Sequence, residues 1–462
     1  MKNILILGGG VSGLSSAYFL SKNGFNVEVV EKTGSLGGVS GSFKHKDFSL
    51  DYGPHKIYTQ MPNIMQEIKN LVPDLIEIKK KSRIMLKGKY YSYPIGLLDI
   101  LLKMNPLIGI KAGLLFGTTK IKTTFSKKEI SYEDYIVNRF GKGVYNLVFK
   151  PYAEKVWGNP KELSWELAKT RVSINSMLSL LMGMIIKKKN PAVSADYFYY
   201  PKNGIVEISN RMAEEIKKNK GKITFNSKIS EIKVNDGKIT EVSIKSKGKT
   251  LKRKPDYVIS TIPIDELPRL IKPTFEKVNL TAENLKYRPA ILFYLILNRE
   301  KILNDNWLFY PEKDLVFTRI SEQKNFSESC CPKDKTALIV ELCPTRAEEL
   351  SKLNDEQIYG IVINDLEKIK LIKSQDVIEY FSIKINKAYP VYDLKFRENV
   401  NVILDSFAGI SNLITNGRQG LFNYNNIDHC MDMGLQAANF LINKNSGWRG
   451  KIKDFENYKI VD

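Results

Sequence analysis

The sequence feature that most constrains the fold is a glycine motif, Gly8-x-Gly10-x-x-Gly13, near the start of the chain. Residues 3–7 are apolar and predict a buried strand before the motif, and a helix is predicted to begin at about Gly13. A second strand is predicted at 25–31, where apolar and polar residues alternate. Together these elements form a βαβ unit, which requires a parallel sheet with a right-handed crossover.

Each glycine of this motif has its own part in binding a dinucleotide. Gly8 permits a tight turn, Gly10 lets a pyrophosphate approach the backbone, and Gly13 lets the helix pack closely on the sheet. The pyrophosphate is then expected at the helix N-terminus, beside Val11 and Ser12, where free N–H groups and the helix dipole favour negative charge. The motif, in this order of elements, predicts a nucleotide cofactor.

The acidic residue at the end of the second strand indicates which cofactor binds. Glu31 follows Gly13 by eighteen residues, and a carboxylate at this position can accept hydrogen bonds from ribose hydroxyls. The same carboxylate would repel a 2′-phosphate, which argues against NADP at this site.

The segment after Glu31, KTGSLGGVSGSF (32–43), resembles the extension found in FAD folds of the glutathione-reductase type. Amine oxidases, protoporphyrinogen oxidases and UDP-galactopyranose mutases share that fold. The resemblance implies FAD rather than NAD, with Lys32 and the Gly37–Gly38 pair close to the cofactor. The family usually has Arg after the glycine pair. Val39 stands there in this chain, so one phosphate contact must come from elsewhere.

Three later segments resemble the same group of flavoproteins. The strand and turn around Thr261 resemble the element that re-enters the FAD domain, and the strand at Ile229 lies where the backbone commonly meets adenine. Residues 401–410 are predicted to form a strand that places Gly409 at the cofactor and leads into a helix at 430–443. The N-terminus of that helix would face the flavin and stabilise its reduced, anionic form. No attachment point for a covalent flavin is evident, so non-covalent FAD is expected.

The run Asp51-Tyr-Gly-Pro-His resembles the Gly-Pro-His loop of the mutases, whose histidine lies near the flavin ring system. Oxidases of the protoporphyrinogen type carry a related Gly-Pro element. The resemblance implies that Gly53 and Pro54 contact the cofactor and that His55 takes part in catalysis. The alternative is that His55 is a structural histidine.

Two further segments resemble the substrate site of the mutases. Tyr152 and Trp157 match a tyrosine that stacks on uracil and a tryptophan that lines the sugar pocket, although both could instead be core residues. Arg418 and Tyr424 match the residues that bind the diphosphate, and a guanidinium fork suits that role. Arg418 is therefore predicted to act in both substrate binding and catalysis. Asn426 stands where the family has Asp.

The predicted fold is α/β, with a Rossmann-like, glutathione-reductase-type FAD-binding domain interleaved with a mixed α+β substrate domain. A chain of 462 residues is too long for one ordinary core. The strand and helix pattern assigns 1–94, 205–268 and 396–462 to the FAD-binding domain. Residues 95–204 form a predicted helical substrate region, and 269–395 form the predicted sheet of the substrate domain.

Composition excludes several classes of partner. Lys and Arg outnumber Asp and Glu by 71 to 50, a net charge of +21, and such a surface can attract nucleic acid, anionic lipid or a phosphorylated substrate. The lysines are spread along the chain without interleaved aromatics, so no nucleic acid is predicted. Three histidines, and four cysteines without zinc spacing, argue against a metal site.

The start of the chain has no secretory signal pattern, so a cytoplasmic location is expected. Two apolar stretches, 95–118 and 174–189, are too interrupted to span a bilayer. They are predicted to be buried helices, with peripheral contact at the inner face of the membrane as the alternative.

Three functions follow from these resemblances. The first is an FAD-dependent oxidoreductase that transfers a hydride from a small-molecule substrate to flavin N5. The second is a pyranose–furanose mutase that acts on a nucleotide sugar without net redox change, in surface glycan biosynthesis. The third is a flavin-binding protein with a structural or chaperone role on a membrane, which would bind FAD without turning over a small molecule. The length of the chain and the YPKNG segment (200–204) favour the first.

Overall fold

The structure is a computed structural model in which three long stretches and two C-terminal residues are described: 2–93, 128–171, 196–456, Tyr458 and Ile460. The apolar stretches 95–118 and 174–189, predicted to be buried helices with membrane contact as the alternative, lie outside these residues. None of the helices within the described stretches is long and apolar enough to cross a membrane.

The helices are α1 (Val11–Lys22), α2 (Pro62–Leu71), α3 (Tyr132–Val144), α4 (Lys150–Val156), α5 (Trp165–Arg171), α6 (Glu207–Lys218), α7 (Leu267–Leu270), α8 (Glu276–Glu283), α9 (Ala347–Leu350), α10 (Asp355–Lys368), α11 (Phe396–Ala408), α12 (Gly417–Gly420), α13 (Ile427–Ile442) and α14 (Trp448–Phe455). The strands are β1 (Asn3–Leu7), β2 (Asn26–Val30), β3 (Ser42–His45), β4 (Phe48–Asp51), β5 (Ile76–Lys79), β6 (Ser82–Leu86), β7 (Lys89–Ser92), β8 (Tyr197–Tyr200), β9 (Lys222–Thr224), β10 (Ser227–Asn235), β11 (Lys238–Ser246), β12 (Lys249–Arg253), β13 (Tyr257–Ser260), β14 (Ile271–Lys272), β15 (Tyr287–Leu297), β16 (Trp307–Phe309), β17 (Phe317–Glu322), β18 (Thr336–Leu342), β19 (Val377–Pro390) and β20 (Leu413–Thr415).

A five-stranded parallel sheet, in the order β20-β13-β1-β2-β9, forms the centre of the part of the molecule that contains the glycine motif. Its strands come from distant parts of the chain, and β1 pairs with both β2 and β13. Helices α1 and α13 pack against each other, and the Ser15 hydroxyl donates to the Met431 carbonyl at 2.7 Å. This arrangement confirms the predicted βαβ opening and α/β class.

A four-stranded sheet, β12-β11-β10-β14, accompanies the parallel sheet; β10, β11 and β12 form an antiparallel meander and β14 pairs with β10 in parallel. Its hairpin turns at Asp236 and Gly237, which both have positive φ, as the Asp-Gly pair predicts. The mixed sheet β19-β15-β18-β17-β16-β6-β7 forms the other half of the molecule. It includes β6 and β7, which fall within the predicted range 1–94 of the FAD-binding domain, so the proposed domain boundaries stay a prediction.

The predicted strand at 401–410 is wrong, because these residues belong to helix α11 and the loop after it. The buried residues of α11 include Val400, Ile403, Leu404 and Phe407, and this spacing of three and four residues is that of a helix face. The short apolar run within the helix resembles a strand only when it is read alone. The strand at this position in the sheet is β20, a few residues later.

A buried carboxylate fixes the loop that precedes helix α6. Asp51, at the end of β4, accepts hydrogen bonds from the Ser42 hydroxyl and the Tyr200 phenol at 2.6 Å each, and from the Ile205 N–H at 3.3 Å. Burial raises the pKa of Asp51 to about 6, although these hydrogen bonds oppose the rise. Asp51 therefore joins the β3–β4 hairpin to the YPKNG segment (200–204) and the residue after it, and these contacts depend on the protonation state of its carboxyl group.

Replacing Asp51 with Asn should change how stability depends on pH. The native carboxyl holds its proton more tightly than the unfolded chain does, so its contribution to the free energy of unfolding falls as pH rises from about 4 to about 6. The difference in pKa corresponds to at most about 3 kcal/mol. In urea unfolding, the free energy of unfolding of Asp51→Asn should rise relative to that of the wild-type protein as pH rises over this range. Asp334→Asn, at an exposed aspartate, is the control, and a difference that does not vary with pH would contradict the assignment.

Candidate functional site

The glycine loop between β1 and α1 leaves a gap above the helix N-terminus. Gly8 has a φ of +108°, and a Cβ on Gly13 would collide with the carbonyl oxygen of Gly8. Gly10 is the N-cap of α1, and no side chain caps the helix there. A Cβ added at Gly10 would meet no atom within 4 Å, so the backbone before Val11 and Ser12 borders open space at the positive end of the helix dipole.

The Gly37–Gly38 segment borders the same gap. The Gly37 N–H donates to the Gly9 carbonyl at 2.9 Å, and Gly37 forms a parallel bridge with Gly10. A Cβ on Gly38 would lie 3.4 Å from the Cα of Gly10. The structure therefore brings together the two glycine segments that the sequence singled out.

Glu31 lies beneath the loop and is 8% exposed. Its carboxylate accepts hydrogen bonds from the Gly9 N–H at 2.7 Å and from the N–H and hydroxyl of Thr33 at 2.9 and 2.8 Å. A carboxylate offers about four acceptor positions, so one remains for a ribose hydroxyl. Lys32 is exposed, and Ile229 is a buried residue of β10. Their contacts with a cofactor stay predictions.

Thr261 and Gly417 close the other side of the gap. The N–H and the hydroxyl of Thr261 both donate to the Leu7 carbonyl at 2.9 Å. Gly417 has a φ of +81°, and a Cβ there would lie 2.7 Å from the side chain of Ser12. The sequence analysis missed Gly417, although its place directly after a short strand and before Arg418 is a usable signal.

The predicted position of Gly409 at the cofactor is wrong. Gly409 is exposed at the end of α11, and its carbonyl lies beside Gly237 in the β10–β11 turn. The first residue of β10, Ser227, donates to the Glu31 carbonyl. The turn is at the other end of that nine-residue strand, roughly 26 Å away. The error follows from the mistaken strand at 401–410.

His55 lies between the cofactor segment and a group of arginines. Burial, together with the positive charges of Arg319 and Arg418, lowers its pKa to about 4, and backbone hydrogen bonds with Gly53 and Val39 oppose this shift. The imidazole is therefore neutral at physiological pH. Its atom Nδ1 is buried and has no hydrogen-bond partner among the described residues.

Four of the predicted substrate residues meet in one place. The Trp157 indole N–H donates to the Tyr424 hydroxyl at 3.3 Å, and the Tyr152 ring contacts Trp157 edge-on with centroids 6.0 Å apart. The guanidinium carbons of Arg171 and Arg418 lie 4.3 and 5.1 Å from the centre of the Tyr424 ring. We refer to these five residues as the arginine–aromatic cluster.

Arg418 is a buried cation without a paired carboxylate among the described residues. It donates to the carbonyls of Asn425 and Ala388 at 3.2 and 2.9 Å, and its atom Nε has no partner there. Burial lowers the pKa of Arg418, although the Tyr424 phenol opposes this, and the charge of Arg171 lowers it further. Such a guanidinium favours an anionic ligand, because a ligand charge would replace the lost hydration.

A charged triad that the sequence analysis missed lies next to this cluster. Arg319 donates to the Glu341 carboxylate at 2.8 Å, and the Tyr389 phenol donates to the same carboxylate. Burial and the charge of Glu341 raise the pKa of Tyr389 far above its usual value. The signal was available, because Glu341 is the single charged residue in the buried strand TALIVEL.

Asn426 caps helix α13, and among the described residues its side chain contacts His429 rather than the arginine–aromatic cluster. Its side chain binds the His429 N–H, and its own N–H donates to His429 Nδ1 at 3.2 Å. The Cys430 thiol, one turn into the helix, lies beside Ser12 and Arg418. The N-terminus of α13 therefore borders the glycine loop, while a substrate role for Asn426 stays a prediction.

These residues fit a flavin dinucleotide. The open space at Gly10 accommodates a pyrophosphate at an uncapped helix N-terminus, and Glu31 has an acceptor position for a ribose. The unpartnered buried atoms of His55 and Arg418 lie on the side of the substrate residues. The site thus has one end that would suit a phosphate and another end that is polar and cationic.

Comparison with known proteins agrees with this geometry. Residues 11–384 match the profile of a family described as flavin containing amine oxidoreductase. Protoporphyrinogen oxidase 2 of Arabidopsis thaliana is 22% identical over 450 residues, which cover 86% of this chain and 85% of that protein.

Solved structures share the fold. A crystal structure of reduced UDP-galactopyranose mutase superimposes with a TM-score of 0.83 over 100% of both chains, at 19% identity. Putrescine oxidase bound to putrescine superimposes with a TM-score of 0.64, covering 96% of this chain and 99% of that one at 14% identity. At these identities the likeness establishes the fold alone, and it confirms the predicted glutathione-reductase-type architecture.

Alanine at Gly10 should separate FAD binding from folding. The added methyl group has room in the folded chain but projects into the space for the pyrophosphate, so FAD affinity should fall at least about tenfold. The melting temperature of the FAD-free protein should stay unchanged. Gly360→Ala, at a helical glycine that also has open space, is the control, and flavin fluorescence titration measures the affinity. Unchanged FAD affinity in Gly10→Ala would rule out this placement of the pyrophosphate.

Proposed function

Because the chain belongs to the flavin containing amine oxidoreductase family and is an FAD-dependent oxidoreductase, we propose that it oxidises a small anionic molecule bound in the arginine–aromatic cluster. The observation that carries the proposal is the position of Arg418, a buried cation with no carboxylate partner among the described residues, close to the glycine loop. When bound, FAD supplies a hydride acceptor at N5. The side chains described above supply binding, orientation and exclusion of water.

The arginines would hold the anionic group of the substrate. A guanidinium pairs in bidentate fashion with a carboxylate or phosphate, and it does so more strongly where water is excluded. Arg418 has its Nε available for such a contact. The rings of Tyr152 and Trp157 would cover the remaining, flat or apolar part of the substrate.

His55 would act as a neutral group. With its pKa lowered to about 4 by burial, the imidazole can accept or donate one hydrogen bond at pH 7 without adding positive charge. The buried first turn of α13, beside Ser12 and Arg418, would provide the positive potential that favours an anionic reduced flavin. His55 would thus handle the proton, and the first turn of α13 would stabilise the negative charge.

A second candidate function is supported by one specific observation. Tyr152, Trp157, Arg418 and Tyr424 were each assigned from a resemblance to nucleotide-sugar mutases, and they lie together in the folded chain. A pyranose–furanose mutase would place the nucleotide diphosphate against Arg418 and a base on Tyr152. This function would use the reduced cofactor and would give no net oxidation.

One experiment distinguishes the two functions. The FAD-loaded protein is reduced without oxygen and titrated with UDP-galactose, and in a parallel aerobic assay hydrogen peroxide release is measured with amines and with porphyrinogens. Peroxide release with the carboxylate-bearing porphyrinogens and no nucleotide binding at millimolar concentration supports the proposed oxidoreductase, whereas peroxide release with amines alone contradicts the anionic substrate. Micromolar nucleotide-sugar binding without peroxide supports the mutase. Absence of both favours a structural flavoprotein and contradicts the proposal.

Arg418 should be essential for binding in either case. Arg418→Ala should weaken binding of the active ligand at least about a hundredfold, since a charge-assisted bidentate contact is lost. Arg418→Lys should recover only part of this loss, because lysine keeps the charge but not the fork. Arg299→Ala, at an exposed arginine, is the control. Unchanged binding in Arg418→Ala would contradict the assigned role, and isothermal titration measures the affinities.

A further inference from the structure

We propose that Lys155 is a positioning residue of the substrate site, whose ammonium group fixes helix α4, and with it Tyr152 and Trp157, against the turn between β16 and β17. The proposal rests on the proposed function in one respect, namely that these two rings wall the substrate site. It concerns a residue that touches neither of the binding arginines.

The ammonium group of Lys155 is fully used within the protein. The side chain lies in a residue that is 4% exposed. It donates to the carbonyls of Tyr310, Glu312 and Phe317 at 2.8, 2.6 and 2.6 Å. An ammonium has three donors, so one side chain satisfies two carbonyls of the β16–β17 turn and the carbonyl of the first residue of β17. A neutral or shorter side chain would leave buried acceptors without partners, which is costly.

The backbone of Lys155 is held from the other side. Its carbonyl accepts hydrogen bonds from the Thr345 hydroxyl at 2.8 Å and the Cys343 thiol at 3.0 Å. Cys343 directly follows β18, and Thr345 lies in the short turn after it. The residue therefore connects α4 to two neighbouring strands of the mixed sheet, through its side chain to one and through its backbone to the other.

The segments joined in this way carry the residues of the site. Phe309, at the end of β16, contacts the Tyr152 ring edge-on with centroids 6.0 Å apart. Arg319 lies on β17, two residues after Phe317, whose carbonyl Lys155 binds. Trp157 directly follows α4 as its C-cap residue, and its indole N–H donates to the Tyr424 hydroxyl. A shift of α4 away from this turn would move both rings relative to the arginines.

The charge of Lys155 is sensitive to pH. Burial lowers its pKa to about 8, against the opposing influence of the groups that face it, which are Cys343 after β18, Glu312 and Asp314 in the turn, and Asp365 on α10. Deprotonation leaves two donors for three carbonyls, so the contact with the turn should loosen as pH rises through about 8. The free energy of unfolding should nevertheless increase as pH rises from about 8 to about 10.5, because the unfolded chain binds more protons than the folded protein over this range.

The indole of Trp157 provides a direct readout that needs no substrate. The chain has four tryptophans, Trp157, Trp165, Trp307 and Trp448, so 5-fluorotryptophan labelling of the FAD-loaded protein should give four fluorine signals, and Trp157→Phe assigns one. In the native protein the Trp157 signal should move between pH 7 and 9.5 with a midpoint near 8. If it does not move while the other signals are resolved, the proposal is overturned.

Two variants and one control make the source of the shift unambiguous. Lys155→Arg keeps the charge at every pH and should abolish the midpoint near 8, while Lys155→Met should displace the signal at every pH. Cys343→Ser removes the neighbouring thiol and should leave the midpoint in place. Loss of the midpoint in Cys343→Ser would assign the titration to the thiol and overturn the proposal. If either lysine variant fails to bind FAD, the titration of the native protein decides alone.

Failure of this proposal is distinguishable from failure of the proposed function. Under either function, Lys155→Met should weaken binding of the active ligand about tenfold with FAD affinity unchanged. If no ligand is found, the function is contradicted, and the fluorine signals still test Lys155. If a ligand binds and Lys155→Met leaves both its affinity and the Trp157 signal unchanged, the function stands and Lys155 has no positioning role.

Discussion

The site depends on how closely the backbone of the first helix approaches the end of the first strand. The approach of Gly13 to the Gly8 carbonyl leaves no room for a side chain, and it brings the N-terminus of α1 to the edge of the parallel sheet. The carboxyl ends of parallel strands meet at that edge. Glu31, Thr261 and Gly417 reach the same loop for this reason, since each follows a strand of the same sheet.

Local patterns in the sequence predicted the parts of the fold whose causes are local. The glycine motif, the Asp236–Gly237 turn and the helix at 430–443 follow from residues that are near each other in the chain. The strand at 401–410 failed because a short apolar run is compatible with both a strand and one face of a helix. Its buried partners, which decide between the two, lie far away in sequence. Gly409 was misplaced for the same reason.

The residues of the candidate site also divide into those that the sequence predicted and those that it did not. Arg418, Tyr424, Tyr152 and Trp157 were found through resemblance to a known pattern, and the folded chain brings them together. No pattern paired Arg319 with Glu341 and Tyr389, because these contacts join three strands of the mixed sheet. Glu341 stood out only as a charge in an apolar strand. Its partners became evident once the strand order was known.

The strand order of the parallel sheet also has a consequence for biosynthesis. The ribosome makes the glycine loop first, but β20 and Gly417, which close the loop's far side, come about 400 residues later. At typical elongation rates of about 5–20 residues per second, the interval is roughly 20–80 s. The nascent α1 lacks β13 for more than half of that time, and it lacks its neighbour α13 for all of it. Flavin capture is therefore expected to be a late event in the life of the new chain, and premature termination would release a polypeptide with a phosphate loop but no enclosed cofactor.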